Sequence, residues 1–154
     1  MAKRRDQIRM TEEEMWAFIE ERKSLQVATL NRDGTPHLTT LWFAIVDGAL
    51  VFETFTKSQK VKNLQRDPRI AVLLEDGTEY AELRGVSINA KAEVHSDPDK
   101  VHGLAKQVMI RNNPDVPAEA MDQAAKQLAA KRSAIVVRLE KVVTWDHRKL
   151  GGSY

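Results

Sequence analysis

Residues 25–55, LQVATLNRDGTPHLTTLWFAIVDGALVFETF, contain three apolar segments separated by two tight-turn signals. The segments run from Leu25 to Leu30, from His37 to Val46 and from Leu50 to Phe55, and the turns contain Asp33-Gly34 and Asp47-Gly48. An Asp-Gly pair between apolar segments is typical of a β-hairpin, in which the two strands are antiparallel. This stretch therefore predicts a three-stranded antiparallel meander.

Three further strands are predicted after the meander. Ile70–Leu74 is followed by a turn at Asp76-Gly77, Tyr80–His95 alternates as one long strand with Gly85 as a candidate bulge, and Ser133–Trp145 is the last strand. Parallel neighbours need crossover connections of about a dozen residues, whereas most of these strands are joined by tight turns. We therefore expect an α+β fold in which about six antiparallel strands close into a small barrel.

Helices are predicted before, between and after these strands. A capping-box pattern at Thr11 begins the first, and Asp67-Pro68 ends a second over residues 57–66. Asp97-Pro98 begins a third, and a fourth follows Asn113-Pro114. We expect the helices to cover the openings of the barrel.

The composition is that of a globular protein. Of the 154 residues, 42% are apolar and 30% are charged, which predicts one domain over residues 1–154 with a basic arm at residues 1–10. No run approaches the ~18 apolar residues of a membrane span, and the basic start lacks the apolar stretch of a signal peptide. We therefore expect a cytoplasmic protein with no membrane partner.

Several kinds of chemistry are excluded or unsupported by the residue types. The absence of cysteine excludes disulfide scaffolds, thiolate metal sites and cysteine nucleophiles. The four histidines are far apart and show no helical metal-site spacing, so they are interpreted as surface or hydrogen-bonded core residues. A formal net charge of +2 predicts no nucleic-acid partner unless the charge is clustered.

One segment does concentrate positive charge. Residues 57–69 contain five basic residues and one acidic residue, and Thr54, Thr56 and Ser58 lie just before or at the predicted helix start. Hydroxyl groups and lysines at a helix N-terminus favour an anion such as phosphate. The alternative is a solvated basic helix face, which the local pattern alone leaves open.

The three tryptophans are candidates for packing in the core. Trp16 is expected to pack beneath the first helix. Trp42 and Trp145 are either core residues, which is the favoured interpretation, or flank a planar ligand.

The order of these segments resembles that of a known family. Gly34-Thr35-Pro36 opens a strand through Leu41-Trp42-Phe43, and the chain continues with residues 50–54, 58–64 and 67–69. Over roughly residues 25–145 this series resembles the pyridoxamine 5′-phosphate oxidase-like flavin-binding family, most closely its actinobacterial branch, which binds the deazaflavin coenzyme F420. The resemblance implies a split β-barrel and a homodimer with cofactors at the subunit interface.

The resemblance also implies which residues contact the cofactor. Lys60 matches the lysine that binds the cofactor phosphate, Ser58 matches the serine beside it, and residues 39–42 match the strand whose backbone lies along the ring. The oxidase has arginines where this chain has Thr39 and Gln59, which weakens the case for FMN because guanidinium groups bind phosphate bidentately. The implied cofactor-binding residues are Thr39, Thr40, Leu41, Trp42, Thr54, Thr56, Lys57, Ser58 and Lys60.

The leading functional hypothesis is a coenzyme F420H2-dependent reductase that transfers hydride from the reduced deazaflavin to an organic acceptor. The cofactor carries the reaction, so no protein nucleophile is implied. The alternatives are an FMN-binding oxidoreductase of the same fold and a non-enzymatic protein that binds flavin or heme. The oxidase's C-terminal Arg-x-His pattern is absent, so oxidation of vitamin B6 is not expected.

Overall fold

The computed structural model describes residues 3–152, which form eight β-strands and five α-helices. The strands are β1 (Ser24–Leu30), β2 (Pro36–Trp42), β3 (Ala44–Val46), β4 (Ala49–Phe55), β5 (Arg69–Asp76), β6 (Arg84–His95), β7 (Arg132–Arg138) and β8 (Lys141–Asp146). The helices are α1 (Arg4–Gln7), α2 (Glu12–Glu21), α3 (Gln59–Arg66), α4 (Pro98–Asn112) and α5 (Ala118–Ala129). The predicted α+β class is confirmed, with eight strands where about six were expected.

The sheet curls into a split barrel. Its strand order is β2-β1-β5-β6-β7-β4-β3 with β8 also paired to β6, and all of these pairings are antiparallel, as predicted. The twelve-residue β6 belongs to both halves, because residues 84–91 pair with β5 and residues 92–95 pair with β7. The first half contains β2, β1, β5 and β8, and the second contains β7, β4 and β3.

The main core fills the inside of the barrel. Phe18, Phe43, Phe52, Ile88 and Ile135 are each at most 2% exposed. They belong to α2, the β2–β3 junction, β4, β6 and β7, so both halves of the barrel contribute to one core. Burial of a side chain of this size contributes about 1.5–3 kcal/mol. Trp16 packs against this core, as predicted.

Helices α4 and α5 form a layer outside β4 and β7. Val101 of α4 and Ala129 of α5 pack with Ala134 of β7, and each of the three is at most 5% exposed. Because this layer covers the outer face of β4, most side chains of β4 are buried on both faces of the sheet. In β2, by contrast, half-buried and exposed side chains alternate.

The predicted strand His37–Val46 is interrupted at Phe43. The Phe43 carbonyl accepts hydrogen bonds from Arg111 Nη1 at 3.3 Å and from Asn112 Nδ2 at 3.1 Å. Side chains from the end of α4 therefore bind this backbone group, and the chain passes from β2 in one half of the barrel to β3 in the other.

The predicted strand Ser133–Trp145 contains one extra residue and is divided into β7 and β8. Both strands run along the same edge of β6. The β7 pairing ends at Val137, opposite Ala92, and the β8 pairing begins at Lys141, opposite Asn89. Residues 138–140 of this strand therefore lie opposite residues 90–91 of β6. Three residues facing two define a β-bulge, which bends the strand and increases its twist. The predicted strand Tyr80–His95 also begins later, because residues 80–82 form a 3-10 turn.

The bulge predicted at Gly85 is wrong. Gly85 pairs with Glu75 on one side and with Trp145 on the other, within uninterrupted ladders. A Cβ at Gly85 would lie 2.1 Å from Cζ2 of Trp145, so the glycine is required by the close approach of the indole ring. Trp145 is therefore half-buried against β6 and is not part of the core, although a core position is the favoured interpretation from the sequence.

The arm predicted over residues 1–10 is attached to the barrel. It contains α1, and the Asp146 N–H of β8 donates to the Ile8 carbonyl at 2.7 Å. Residues 1–2 of the arm lie outside the described residues, as do residues 153–154 of the C-terminal tail.

Candidate cofactor site

The junction between β4 and α3 contains five of the predicted site residues, all within residues 54–60. Ser58 is the N-cap of α3, and its Oγ accepts a hydrogen bond from the Val61 N–H at 3.4 Å. The cap satisfies that N–H, and the N–H groups of Gln59 and Lys60 are left at the helix terminus without an intrahelical acceptor. These donors and the helix dipole favour an anion here.

Lys60 is half-buried at this helix terminus. Burial lowers the pKa of its ammonium below the usual lysine value, and no charged neighbour offsets that shift. Within residues 3–152, no carboxylate lies at ion-pair distance from its Nζ. A partly desolvated ammonium without a counterion is unfavourable, so a bound anion would compensate for its loss of hydration.

Asn63 holds α3 against the end of β1. Its side chain is completely buried, and Nδ2 donates to Thr29 Oγ1 at 3.1 Å and to Asn31 Oδ1 at 3.0 Å. Its Oδ1 accepts from Gln59 Nε2 at 2.9 Å. Because Lys60 lies one turn before Leu64, whose side chain is in the core, this anchored helix presents Lys60 on its buried side.

The other basic side chains of residues 57–69 differ in whether other residues of the chain already bind them. Arg69 donates to both oxygens of Asp67, and this contact lowers the pKa of that carboxyl to about 2. Arg66 donates to the Leu30 carbonyl and to Asn63. Lys57 and Lys62 are exposed. The segment is therefore neither a uniformly solvated basic face nor five equivalent anion ligands.

Strand β2 carries the predicted ring-binding residues and lies at an edge of the sheet. Its side chains alternate, so the predicted site residues are divided between two faces. The half-buried residues face inward with Val27 and Leu25 of β1, and the exposed ones face outward. The inward set is His37, Thr39 and Leu41, and the outward set is Leu38, Thr40 and Trp42. The outer edge of such a strand presents backbone N–H and C=O groups that a heterocycle can pair with.

Two inward polar atoms of β2 have no partner. Thr39 Oγ1 and His37 Nδ1 are buried and make no hydrogen bond. An unsatisfied buried polar group costs about 1–3 kcal/mol. His37 pairs across the strands with Thr29, the residue that binds Asn63 of α3, so these unpaired atoms lie on the side of β2 that adjoins α3.

Strands β2 and β4 border the gap between the two halves of the barrel. Beyond the β2–β3 junction, Ala44 pairs with Val51 of β4. The same register extended backward along the chain would set Leu41 opposite Thr54, but β2 pairs with β1 instead. The two segments that carry the predicted site residues therefore line opposite sides of one opening.

The threonines of the β4–α3 junction differ in accessibility. Thr54 is only 4% exposed, so its side chain offers little surface to a ligand. Thr56 is half-buried, and its Oγ1 lies 3.0 Å from Ser133 Oγ of β7.

The outward face of β1 and β2 presents apolar side chains to solvent. Leu38 is 68% exposed and Trp42 is 52% exposed, which shows that the prediction of Trp42 as a core residue is wrong. On the same face, Gln26 Oε1 is buried without a partner and borders a polar cleft of about 780 Å³. The Leu38 and Trp42 side chains lie on one face of β2, which is therefore a candidate interaction surface.

His37 and Asn63 contribute to this site but were not predicted. Strand alternation alone puts His37 on the same face as Thr39, so its position could have been inferred from the sequence. The contacts of Asn63 with Thr29 of β1 and with Asn31 just after it join residues 34 and 32 positions apart, and no local pattern indicates them.

No helix among residues 3–152 is long and apolar enough to cross a membrane. In the same part of the chain, no three His, Cys, Asp or Glu side chains come together as a metal site would require.

Comparison with known proteins gives a family match over most of the chain. The family model of pyridoxamine 5′-phosphate oxidase matches residues 11–146. No curated protein matches the sequence.

Among solved structures, a conserved hypothetical protein from Mycobacterium tuberculosis is 38% identical, with a TM-score of 0.90 over 99% of this chain and 95% of that one. An F420 reductase is 25% identical, with a TM-score of 0.63 over 82% of this chain and 93% of its own. The heme storage protein HutZ from Vibrio cholerae shares the fold at 19% identity, with a TM-score of 0.66 over 86% and 94% of the two chains.

Proposed function

The chain belongs to the pyridoxamine 5′-phosphate oxidase family, and from this premise we propose that it is a coenzyme F420H2-dependent reductase. When bound, the reduced deazaflavin supplies a hydride to an organic acceptor. The protein binds the cofactor, orients it and excludes water from the opening between β2 and β4. The oxidoreductases of this family and the similarity to an F420 reductase support the proposal.

The half-buried Lys60 carries this proposal. Its ammonium lacks a carboxylate partner among residues 3–152 and lies at the N-terminal turn of α3. A phosphate at this position would be bound by the ammonium and by the free N–H groups of the helix terminus. Ser58 caps the helix and Thr56 and Lys57 belong to the same loop, so they complete the phosphate site in this proposal.

Residues 39–42 provide the second part of the proposed site. The free edge of β2 offers backbone donors and acceptors to the cofactor ring, and Thr39 Oγ1 offers a buried hydroxyl that has no protein partner. Leu41 and the buried Thr54 would border the ring from the two sides of the opening. A planar ligand held in this way is positioned without any covalent contribution from the chain.

The preference for a deazaflavin over FMN rests on Thr39 and Gln59. Gln59 is not a substitute for the second phosphate-binding arginine of the oxidase, because its Nε2 donates to Asn63 and so stabilises the attachment of α3. Thr39 has no charge to offer. Lys60 is then the main cation for the phosphate, and the site lacks the bidentate guanidinium contacts that FMN receives in the oxidase.

We further propose that the outward face of β1 and β2 is the interface of a homodimer and that the cofactor lies at its border. Leu38 and Trp42 are exposed there beside the ring-binding backbone of β2. Pairing of two copies would bury these side chains and would place the edge of β2 next to the partner. Specific interfaces of standard size bury about 800 Å² per partner.

A parallel titration with three ligands tests the proposed cofactor. The purified protein is titrated separately with the deazaflavin, FMN and heme while its absorbance spectrum is recorded. We expect the deazaflavin to bind at least about tenfold more tightly than FMN, which corresponds to about 1.4 kcal/mol. Stoichiometric FMN in the purified protein would instead support the FMN-binding oxidoreductase, and preferential heme binding would support a non-enzymatic storage protein.

A further inference from the structure

A second cleft lies on the helix-layer side of the β4–α3 junction. Its volume is about 550 Å³, within the range of about 300–1,000 Å³ found for small-molecule pockets. One wall contains Phe55 and Arg132, which are paired between β4 and β7. Pro98 at the start of α4 and Ala129 at the end of α5 also line the cleft. We call it the Phe55 cleft.

The Phe55 cleft is lined by positive charge. Lys57, Lys131 and Arg132 contribute to its surface, whereas no Asp or Glu of residues 3–152 lines it. Arg132 forms an ion pair with Glu53 at 2.9 Å, but its Nε is buried without a hydrogen-bond partner. The buried Nε is not accessible to a ligand, so Lys57 and Lys131 are the cations lining the cleft that have no ion pair within residues 3–152, and they favour an anionic ligand.

An aromatic ring forms part of the same surface. Phe55 is 55% exposed, and the Arg132 guanidinium lies 3.9 Å from the centre of its ring. The Arg132 contact orients the ring, while the exposed part is free to pack against a ligand. Together with Pro98 and Ala129, the ring provides apolar surface in the cleft that suits a flat hydrophobic body.

Hydroxyl groups add a donor to the cleft. Ser133 Oγ is completely buried and lies 3.0 Å from Thr56 Oγ1 and 2.8 Å from Ser96 Oγ. Both Thr56 and Ser96 line the cleft. Each hydroxyl donates one proton, so when Ser133 donates to one neighbour and accepts from the other, an O–H remains free at one end of the row. A carboxylate oxygen is a suitable acceptor for it.

We propose that the Phe55 cleft binds an aromatic carboxylate, with its ring packed on Phe55 and its carboxylate among the lysines, Arg132 and the hydroxyl row. The cleft differs from the proposed cofactor site, because neither Lys60 nor any residue of β2 lines it. The two sites share only the loop that contains Thr56 and Lys57.

The proposal is tested on the intact protein without cofactor. Binding of 2-naphthoate, a fluorescent aromatic carboxylate, is compared with binding of neutral 2-naphthamide by fluorescence anisotropy. We expect the carboxylate to bind at least about tenfold more tightly. Lys131→Gln removes a cation of the cleft and should weaken naphthoate about threefold without affecting the amide. Phe55→Leu should weaken both probes, because it removes the ring on which they pack.

Lys62→Gln is the matched control for charge, because Lys62 is exposed on α3 and does not line the cleft. Naphthoate affinity that is equal to that of the amide, or that falls equally in Lys62→Gln and Lys131→Gln, would overturn the proposal. A normal thermal unfolding profile of each variant shows that it is folded.

A competition measurement identifies the source of the carboxylate. Addition of the deazaflavin, whose tail also contains carboxylates, should leave naphthoate bound. Displacement of naphthoate by the deazaflavin would show that the cofactor occupies the cleft and would overturn a separate ligand. Lys60→Ala should leave naphthoate binding intact, so a failure here is distinguishable from a failure of the proposed cofactor site.

Discussion

Replacement of Lys60 by alanine tests the proposed phosphate contact most directly. The half-buried ammonium has no carboxylate partner among residues 3–152, so a bound phosphate would receive a charge-assisted hydrogen bond that Lys60→Ala removes. Such a bond contributes about 1.5–3 kcal/mol. We therefore expect deazaflavin affinity, measured by fluorescence titration, to fall roughly ten- to a hundredfold.

The stability of the cofactor-free protein should respond in the opposite direction. Burial lowers the pKa of Lys60 in the folded state, whereas the unfolded chain keeps the higher, ordinary value and binds the proton more strongly. The free energy of unfolding therefore rises as the pH increases between these two pKa values. Lys60→Ala should abolish this rise and should leave the protein at neutral pH at least as stable as the original.

Lys62→Ala is the matched control on the same helix. Lys62 is exposed and lies about 200° around the helix from Lys60. A diffuse basic face would lose affinity about equally in both variants, and the two losses would diminish together as salt is added. Equal losses for Lys60→Ala and Lys62→Ala at two ionic strengths would refute a specific phosphate contact.

Three further variants test other parts of the structure. The double variant Leu38→Glu/Trp42→Glu should convert the proposed dimer into monomers in sedimentation equilibrium, and a persistent dimer would show that the interface lies elsewhere. Asn63→Ala should lower the free energy of unfolding, measured in urea, by about 2–4 kcal/mol because its buried partners lose their hydrogen bonds. A loss below about 1 kcal/mol would contradict the role of Asn63 in anchoring α3. Gly85→Ala should displace the Trp145 indole, change its fluorescence and cost about 1–3 kcal/mol, whereas unchanged fluorescence would argue against the close approach.

The strands and helices that local signals define were predictable from the sequence. Asp47-Gly48 lies in a turn between two strands, with φ of 49° and 73° at the two residues, as a tight hairpin turn requires. Thr11 forms the predicted capping box with Glu14, and Asp97 caps α4. Each of these signals acts within a few residues, so it can be interpreted without knowledge of the rest of the fold.

The features that the sequence missed depend on distant contacts. Phe43 interrupts a continuous apolar pattern because Arg111 and Asn112 bind its carbonyl from 68 and 69 positions away. The bulge at residues 138–140 occurs within an alternating sequence that shows no turn signal, since it is defined only by pairing with β6. Long-range partners of this kind are set by tertiary packing rather than by local preference.

The candidate site was predictable only in part, for the same reason. Clustered hydroxyl groups and lysines indicate the β4–α3 junction, and helical geometry separates Lys60 from Lys62. The sequence does not reveal that Arg69 is paired with Asp67 and is therefore less available to an anion. Nor does it show that Trp42, an aromatic residue within an apolar strand, faces solvent.

Strand β4 pairs with β7, which is synthesised much later, and this order has a consequence for synthesis of the chain. Residues 49–52 are buried in the finished fold, but the contact between Glu53 and Arg132 joins positions 79 residues apart. At about 5–20 residues per second, β7 leaves the ribosome roughly 4 to 16 seconds after β4. During that interval the three residues of β3 are the only sheet partner that β4 has in the described fold. A pause or truncation before β7 would therefore leave an apolar strand open to association with other nascent chains.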